Sequence, residues 1–283
     1  MSGRGTYELL DSGGGRKLER VGDILMDRQA PAAFWAPRLP ATEWSKIHTY
    51  HHRSDTGGGR FENRAPVPDS WSIEYGGLRL KIKPTSFGHL GMFAEQAEQW
   101  AWIREASRTS DPEPLQVLNL FAYTGGSTLA AAQGGATVCH VDAAKGVVDW
   151  ARENAALNDL VQHPIRWIVD DVGEYLGREK RRGRKYDGVI LDPPSFGRGA
   201  RGQVWKIEES VGELLDEVRA VLVDRPKFVL LSCHSPGFTP IVLRNLLAER
   251  FDLTGRRVDC GEMSVPEAGG LRRLPAGAFA RFA

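Results

Sequence analysis

Two places in the sequence hold side chains able to do covalent or acid–base chemistry. Asp192 opens the run Asp192-Pro193-Pro194-Ser195-Phe196 directly after the apolar stretch YDGVIL, and Cys233, followed by His234, ends the apolar stretch KFVLLS. Two prolines stiffen a loop. They can therefore hold the Asp192 carboxylate and a backbone carbonyl against a planar acceptor, on which Phe196 can stack. An ionised thiol can add to an electrophilic ring carbon, such as carbon 6 of a pyrimidine. A free cysteine has a pKa of about 8.5, so a neighbour must help it ionise, and His234 is adjacent in sequence. If the two stretches are neighbouring strands, their ends lie about 5 Å apart and the two groups share one site. Each feature also has a plainer reading. The prolines can cap a buried strand, and Cys233 can be a small buried residue at a strand end.

Both groups need a scaffold that brings strand ends together, and the preceding sequence supplies one. The strand LQVLNLF breaks at Ala122-Tyr123-Thr124-Gly125-Gly126 and continues into the small-residue helix STLAAAQ; TVCHVD ends in Asp142, and IRWIVDD ends in Asp170-Asp171. Strands alternating with helices predict a doubly wound α/β sheet that binds ligands beyond the carboxyl ends of its strands. Glycine at the break lets the chain turn sharply and lets a ligand lie against the main chain, at the positive end of the next helix. Asp142 stands where a carboxylate can accept both hydroxyls of a ribose. The third glycine of a pyrophosphate loop is missing, because Leu129 occupies its place, so a dinucleotide is disfavoured.

In this order, FAYTGG, VDAAKG, the Asp170-Asp171 turn and DPPSF resemble the class I S-adenosylmethionine-dependent methyltransferases over roughly residues 80–283. The resemblance implies a mostly parallel seven-stranded sheet with S-adenosylmethionine as cofactor. Phe121, Tyr123, Thr124 and Gly125 then face the methionine moiety, Asp142 and Ala143 the ribose, Asp170 and Asp171 the adenine, and Asp192 both cofactor and acceptor. In the loop before the core, it implies that Phe93 and Gln96 cover the cofactor; an ordinary helix start is the alternative for these two. Cys233 beside DPPSF resembles the large-subunit ribosomal RNA cytosine-C5 methyltransferases. That likeness makes Cys233 the nucleophile on carbon 6, Asp192 its partner, and Pro193, Pro194 and Phe196 the acceptor wall, with ribosomal RNA or a ribosomal subunit as partner. Two other readings stay open: an N-methyltransferase acting on a nucleobase, a protein amide or a small molecule through DPPSF alone, and a nucleotide-binding protein of the same fold without turnover.

The remaining sequence bounds these readings. Its 283 residues are 41% hydrophobic, enough for a sizeable core,. A net charge of +1 does not by itself announce a nucleic-acid partner,. REKRRGRK, from Arg178 to Lys185, is a basic run that either tracks phosphates or forms a solvated loop, the second being the commoner behaviour. Cys139, Cys233 and Cys260 form no C-x-x-C pair, and no metal site is expected. No apolar run is long enough to span a membrane and the first residues lack a signal-peptide core, so a soluble, cytoplasmic protein is expected. Residues 1–92 predict a small β-rich domain and residues 93–283 the methyltransferase domain. In the first, ERVGDILM, SIEYGG and LRLKIKP read as strands, Trp35, Trp44 and Trp71 as core, and His48, His51 and His52 as an exposed polar turn. A helix is expected to begin near Met92, and a terminal antiparallel hairpin around Gly269-Gly270 closes the sheet.

Overall fold

The structure is a computed structural model that describes residues 5–54, 58–198, 204–270 and 272–283. Its contacts sort the chain into two compact units, Met1–Ala97 with Ser264–Ala276, and Glu98–Met263 with Gly277–Ala283. The division expected at residues 92 and 93 thus differs from the observed one by five residues and by the tip of the terminal hairpin, 264–276.

The first unit is built on strands β1 (Tyr7–Gly13), β2 (Arg16–Val21) and β3 (Ile24–Gln29), a short helix α1 (Ala41–Trp44), and strands β4 (Thr49–Arg53) and β5 (Gly59–Asn63), in the order β1-β2-β3-β4-β5. ERVGDILM is not one strand: Gly22, at φ 65°, reverses the chain and splits it into β2 and β3. A separate hairpin joins β6 (Trp71–Tyr75) to β7 (Leu78–Ile82) through Gly76 and Gly77, both at positive φ, as a two-residue hairpin turn requires,. The three tryptophans are half-buried, and each ring N–H donates within the unit: Trp35 to the Ser12 carbonyl, Trp44 to Asp11 and Trp71 to the Val21 carbonyl. The expected exposed histidine turn is wrong. Residues 49–53 form β4, and its alternation turns Thr49 and His51 inward, where the His51 ring packs against Phe61,.

The second unit starts with α2 (Ala97–Ala106), preceded by one 3₁₀ turn at Ala94–Gln96 rather than by a helix from Met92. Then follow β8 (Gln116–Leu120), α3 (Gly126–Gln133), β9 (Thr137–Asp142), α4 (Lys145–Leu157), β10 (Ile165–Val169), α5 (Val172–Arg181) and β11 (Gly188–Leu191). A ribbon of β12 (Phe196–Arg198) and β13 (Val204–Lys206) comes next. It leads to α6 (Ile207–Val221), β14 (Phe228–Cys233), α7 (Pro240–Arg250), β15 (Val258–Pro266) and β16 (Arg273–Phe282).

Seven of these strands make one sheet in the order β10-β9-β8-β11-β14-β16-β15. β10, β9, β8, β11 and β14 are parallel, and β16 runs antiparallel to β14. Leu118, Leu120, Val189, Leu191, Val229 and Leu231 point to one face and share a core with α5, α6 and α7. The other face takes α3 and α4. Burial on both faces explains why these strands read as unbroken apolar runs. Strand order reverses between β8 and β11, so the ends of those strands are the expected ligand crevice. Much of the basic run lies in the last turns of α5 instead of a loop. There Arg178 pairs with Asp170, Arg182 donates to Glu179, and the Lys185 ammonium donates to the Ala220 carbonyl. Among the described residues, no helix is long and apolar enough to cross a membrane.

Candidate active site

The crevice is lined first by the loop after β8, whose backbone is held in an uncommon shape. Phe121 and Tyr123 have φ of 55° and 49°, and Gly125 has φ of 89°. A non-glycine residue in this region costs about 1–3 kcal/mol and persists only where its surroundings fix it. Here the surroundings do so. The Tyr123 N–H donates to Asp142 Oδ2 at 2.9 Å, and the buried Asn154 amide donates to the Thr124 carbonyl at 2.9 Å. A Cβ on Gly126 would stand 2.7 Å from the Trp100 ring, so the start of α3 packs against that indole with room only for glycine.

Asp142 ties two loops together. Its second oxygen accepts the Ala144 N–H at 2.9 Å, and each oxygen keeps lone-pair capacity for a further donor,. Ala143, between them, is exposed. Of the paired acids after β10, Asp170 meets Arg178, while Asp171 is the N-cap of α5 and accepts the Glu174 N–H at 3.2 Å. Both thus have defined structural partners beside the crevice.

Beneath the loop lies a buried polar chain that sequence reading passed over. The Asn119 amide donates to Thr128 Oγ1 at 2.8 Å, and Thr128 Oγ1 bonds His140 Nδ1 at 2.9 Å. Polar residues inside apolar runs were the available signal. Burial first, then Arg152, lowers the His140 pKa to about 3. The folded protein therefore keeps this imidazole neutral, whereas the unfolded chain protonates it below about 6.5. Since the unfolded state then binds more protons, stability falls as pH drops from about 6.5 towards 3. We expect this group to cost about 2 kcal/mol between pH 6.5 and pH 5, seen by urea unfolding. A His140→Asn variant should lack that part of the pH slope; an unchanged slope would contradict the assignment.

On the acceptor side, the registers Leu191↔Leu120 and Leu191↔Leu231 put the ends of β8, β11 and β14 side by side. Asp192 and the Cys233-His234 segment therefore do share one site, and His234 Nδ1 lies 3.4 Å from Asp192 Oδ1. The loop that follows is braced from several directions. Trp205 Nε1 donates to the Pro194 carbonyl at 2.7 Å, Ser235 Oγ donates to Ser195 Oγ at 2.6 Å, and the Trp205 ring stands 5.9 Å from that of Phe121. Phe196 is 54% exposed and free to meet a planar ligand. Pro194 is exposed, whereas Pro193, also expected in the acceptor wall, is buried.

Cys233 is placed poorly for attack. It is 1% exposed, and its Sγ accepts the Ser235 N–H at 3.3 Å. Burial pushes the thiol pKa up; the Ser235 bonds oppose this and the Asp192 charge adds to it, leaving a net rise. A protonated, enclosed thiol is a weak nucleophile.

The sequence family described as S-adenosylmethionine-dependent methyltransferase matches residues 28–249. The chain belongs to this family. The methyltransferase is 37% identical to an S-adenosylmethionine-dependent methyltransferase of known structure from Agrobacterium tumefaciens, with a TM-score of 0.91, covering 100% of this chain and 91% of that one. The SMU.776 structure, a complex with S-adenosylhomocysteine, shares the fold at 19% identity and a TM-score of 0.77, covering 99% of this chain and 76% of that one. The ribosomal RNA large subunit methyltransferase K/L of Alteromonas mediterranea is 30% identical over 184 residues, 64% of this chain. The enzyme spans about a quarter of that relative's length, 25%. Its cofactor is S-adenosylmethionine, and the crevice fits one. The loop at 121–126 is fixed in shape at the end of β8, and Asp142 retains acceptor capacity at the next strand end.

Proposed function

We propose that the enzyme methylates a nitrogen atom of a nucleobase in ribosomal RNA. The observation that carries this reading is the acceptor wall: a carboxylate, Asp192, and an exposed ring, Phe196, on a braced DPPSF loop, beside a thiol that is shut away. A base nitrogen needs only alignment and removal of its proton, so a carboxylate is enough. The large-subunit ribosomal RNA methyltransferase K/L name of the relative supports RNA as the class of acceptor.

S-Adenosylmethionine supplies, when bound, a methyl group on a positively charged sulfur. Phe121, Tyr123, Thr124 and Gly125 would hold the methionine moiety, Asp142 and Ala143 the ribose, and Asp170 and Asp171 the adenine side. Phe93 and Gln96 keep their cofactor role as inferences from sequence. Phe196 would stack the target base, and Asp192 would accept its N–H. As the nitrogen–methyl bond forms and the sulfur–methyl bond breaks, the proton leaves the nitrogen for Asp192 and then for water. His234 Nδ1 stands beside that carboxylate, 3.4 Å from Asp192 Oδ1.

The cytosine-C5 alternative requires a Cys233 thiolate, and Cys233→Ala separates the two. Methyl transfer by this variant is expected within about threefold of wild type, since a small buried residue is exchanged for a smaller one outside the chemistry. A loss of about a thousandfold, with 5-methylcytosine as the wild-type product, would restore Cys233 as nucleophile.

A further inference from the structure

The first unit contains a cavity of about 280 Å³ whose lining residues all belong to that unit. This is close to the lower size of pockets that hold small ligands, about 300 Å³. One wall is ionic. Glu19, with no exposed side-chain surface, accepts from Tyr7 Oη at 2.7 Å, from Arg28 Nε at 2.7 Å and Nη2 at 2.9 Å, and pairs with Lys17 Nζ at 3.0 Å. Burial alone would raise the Glu19 pKa, but the Arg28 and Lys17 charges outweigh it and hold the group down at about 2. Glu95 also acts on both cations, so Lys17 and Arg28 stand against two carboxylates at this wall. Arg53, exposed and also lining the cavity, leaves one cation in excess. A cation in excess at the mouth of a concave site favours an anion.

A second part of the lining is aromatic. Phe87 is 69% exposed, and the His89 and Phe93 rings meet edge to face at 5.4 Å. The two walls are coupled, because Arg28 Nη1 donates to the Gly88 carbonyl at 2.6 Å and so fixes the loop that carries Phe87 and His89. Gly88 cannot be exchanged freely there: its φ is 78°, and a Cβ would stand 2.7 Å from His51. Cations facing aromatic rings are the arrangement by which proteins bind a single nucleotide of unpaired RNA, with phosphate on the charges and base on the rings.

We infer that this cavity binds one nucleotide of the RNA substrate, its base against Phe87 and His89 and its phosphate towards Lys17 and Arg53. The inference rests on the RNA reading above. Arg53 and Phe87 are exposed, so Arg53→Gln and Phe87→Ala are expected to leave the fold intact.

Calorimetry on the full chain would measure the four nucleoside 5′-monophosphates, inorganic phosphate and S-adenosylhomocysteine, and a second assay would follow methylation of RNA. At least one monophosphate should bind, and each substitution should weaken it about tenfold, as loss of a charge-assisted or stacking contact does. S-Adenosylhomocysteine should bind unchanged, and KM for RNA should rise. Absence of monophosphate binding, binding indifferent to both substitutions, or competition by S-adenosylhomocysteine would each overturn the inference. RNA methylation with an unaltered KM in both variants would do so while leaving the proposed function standing. Nucleotide binding that responds to the substitutions, in a protein that methylates no RNA, would retain the cavity and sink the proposed function.

Discussion

Asp192→Ala should reduce methyl transfer by about 10²–10⁴-fold while leaving S-adenosylhomocysteine affinity within about tenfold of wild type. The carboxylate begins where β11 ends, beside the ends of β8 and β14, and the buried Pro193 and the Trp205 bond to the Pro194 carbonyl fix its loop. Removing it takes away an acceptor for the proton of the reacting nitrogen without altering the loop's supports. Asp192→Asn, which keeps shape but is far less basic, should be nearly as slow. Single-turnover rates with pre-bound cofactor would decide between this and a role in binding. If kcat survives in both variants and only KM rises, Asp192 positions the substrate and does not take its proton.

The second large effect is expected at Asp142. Its two oxygens already accept the N–H groups of Tyr123 and Ala144, so Asp142→Ala removes the proposed ribose acceptor and also releases a loop held at φ 49°. Hydrogen bonds to a charged group contribute about 1.5–3 kcal/mol each, and 1.4 kcal/mol is a tenfold change in affinity. Two such contacts to the ribose would therefore weaken S-adenosylhomocysteine by about 100-fold or more. Asp142→Asn, which retains one carbonyl oxygen, should fall between. Equal affinity in wild type and Asp142→Ala, by calorimetry, would remove Asp142 from the cofactor site.

The strands were legible because parallel strands buried on both faces leave runs such as VLNLF, TVCHV and GVIL, the last two closed by Asp142 and Asp192,. Asp142, Asp192 and the glycine turn could be placed on one rim from that pattern alone. Other features depended on distance in space. The pairing of β11 with β14 puts His234 against Asp192, but sequence could not say that the Cys233 thiol would be enclosed, since burial at a strand end depends on what packs over it. His51 was misread for a related reason: three histidines in six residues look polar, yet strand alternation turns one of them into a core. The Asn119–Thr128–His140 chain is assembled from three elements, and only their packing makes it one.

The central claim, methylation of a base nitrogen in RNA, is tested most directly by product identity. Deproteinised ribosomal RNA, ribosomal subunits and a protein extract would each be incubated with the enzyme and methyl-labelled S-adenosylmethionine. The recovered RNA would then be digested to nucleosides and resolved by mass spectrometry. The proposed function predicts label in an N-methylated nucleoside of ribosomal RNA, reduced about 10²–10⁴-fold with Asp192→Ala. Label confined to protein or to a small molecule would contradict the RNA acceptor, and label in 5-methylcytosine would contradict the nitrogen.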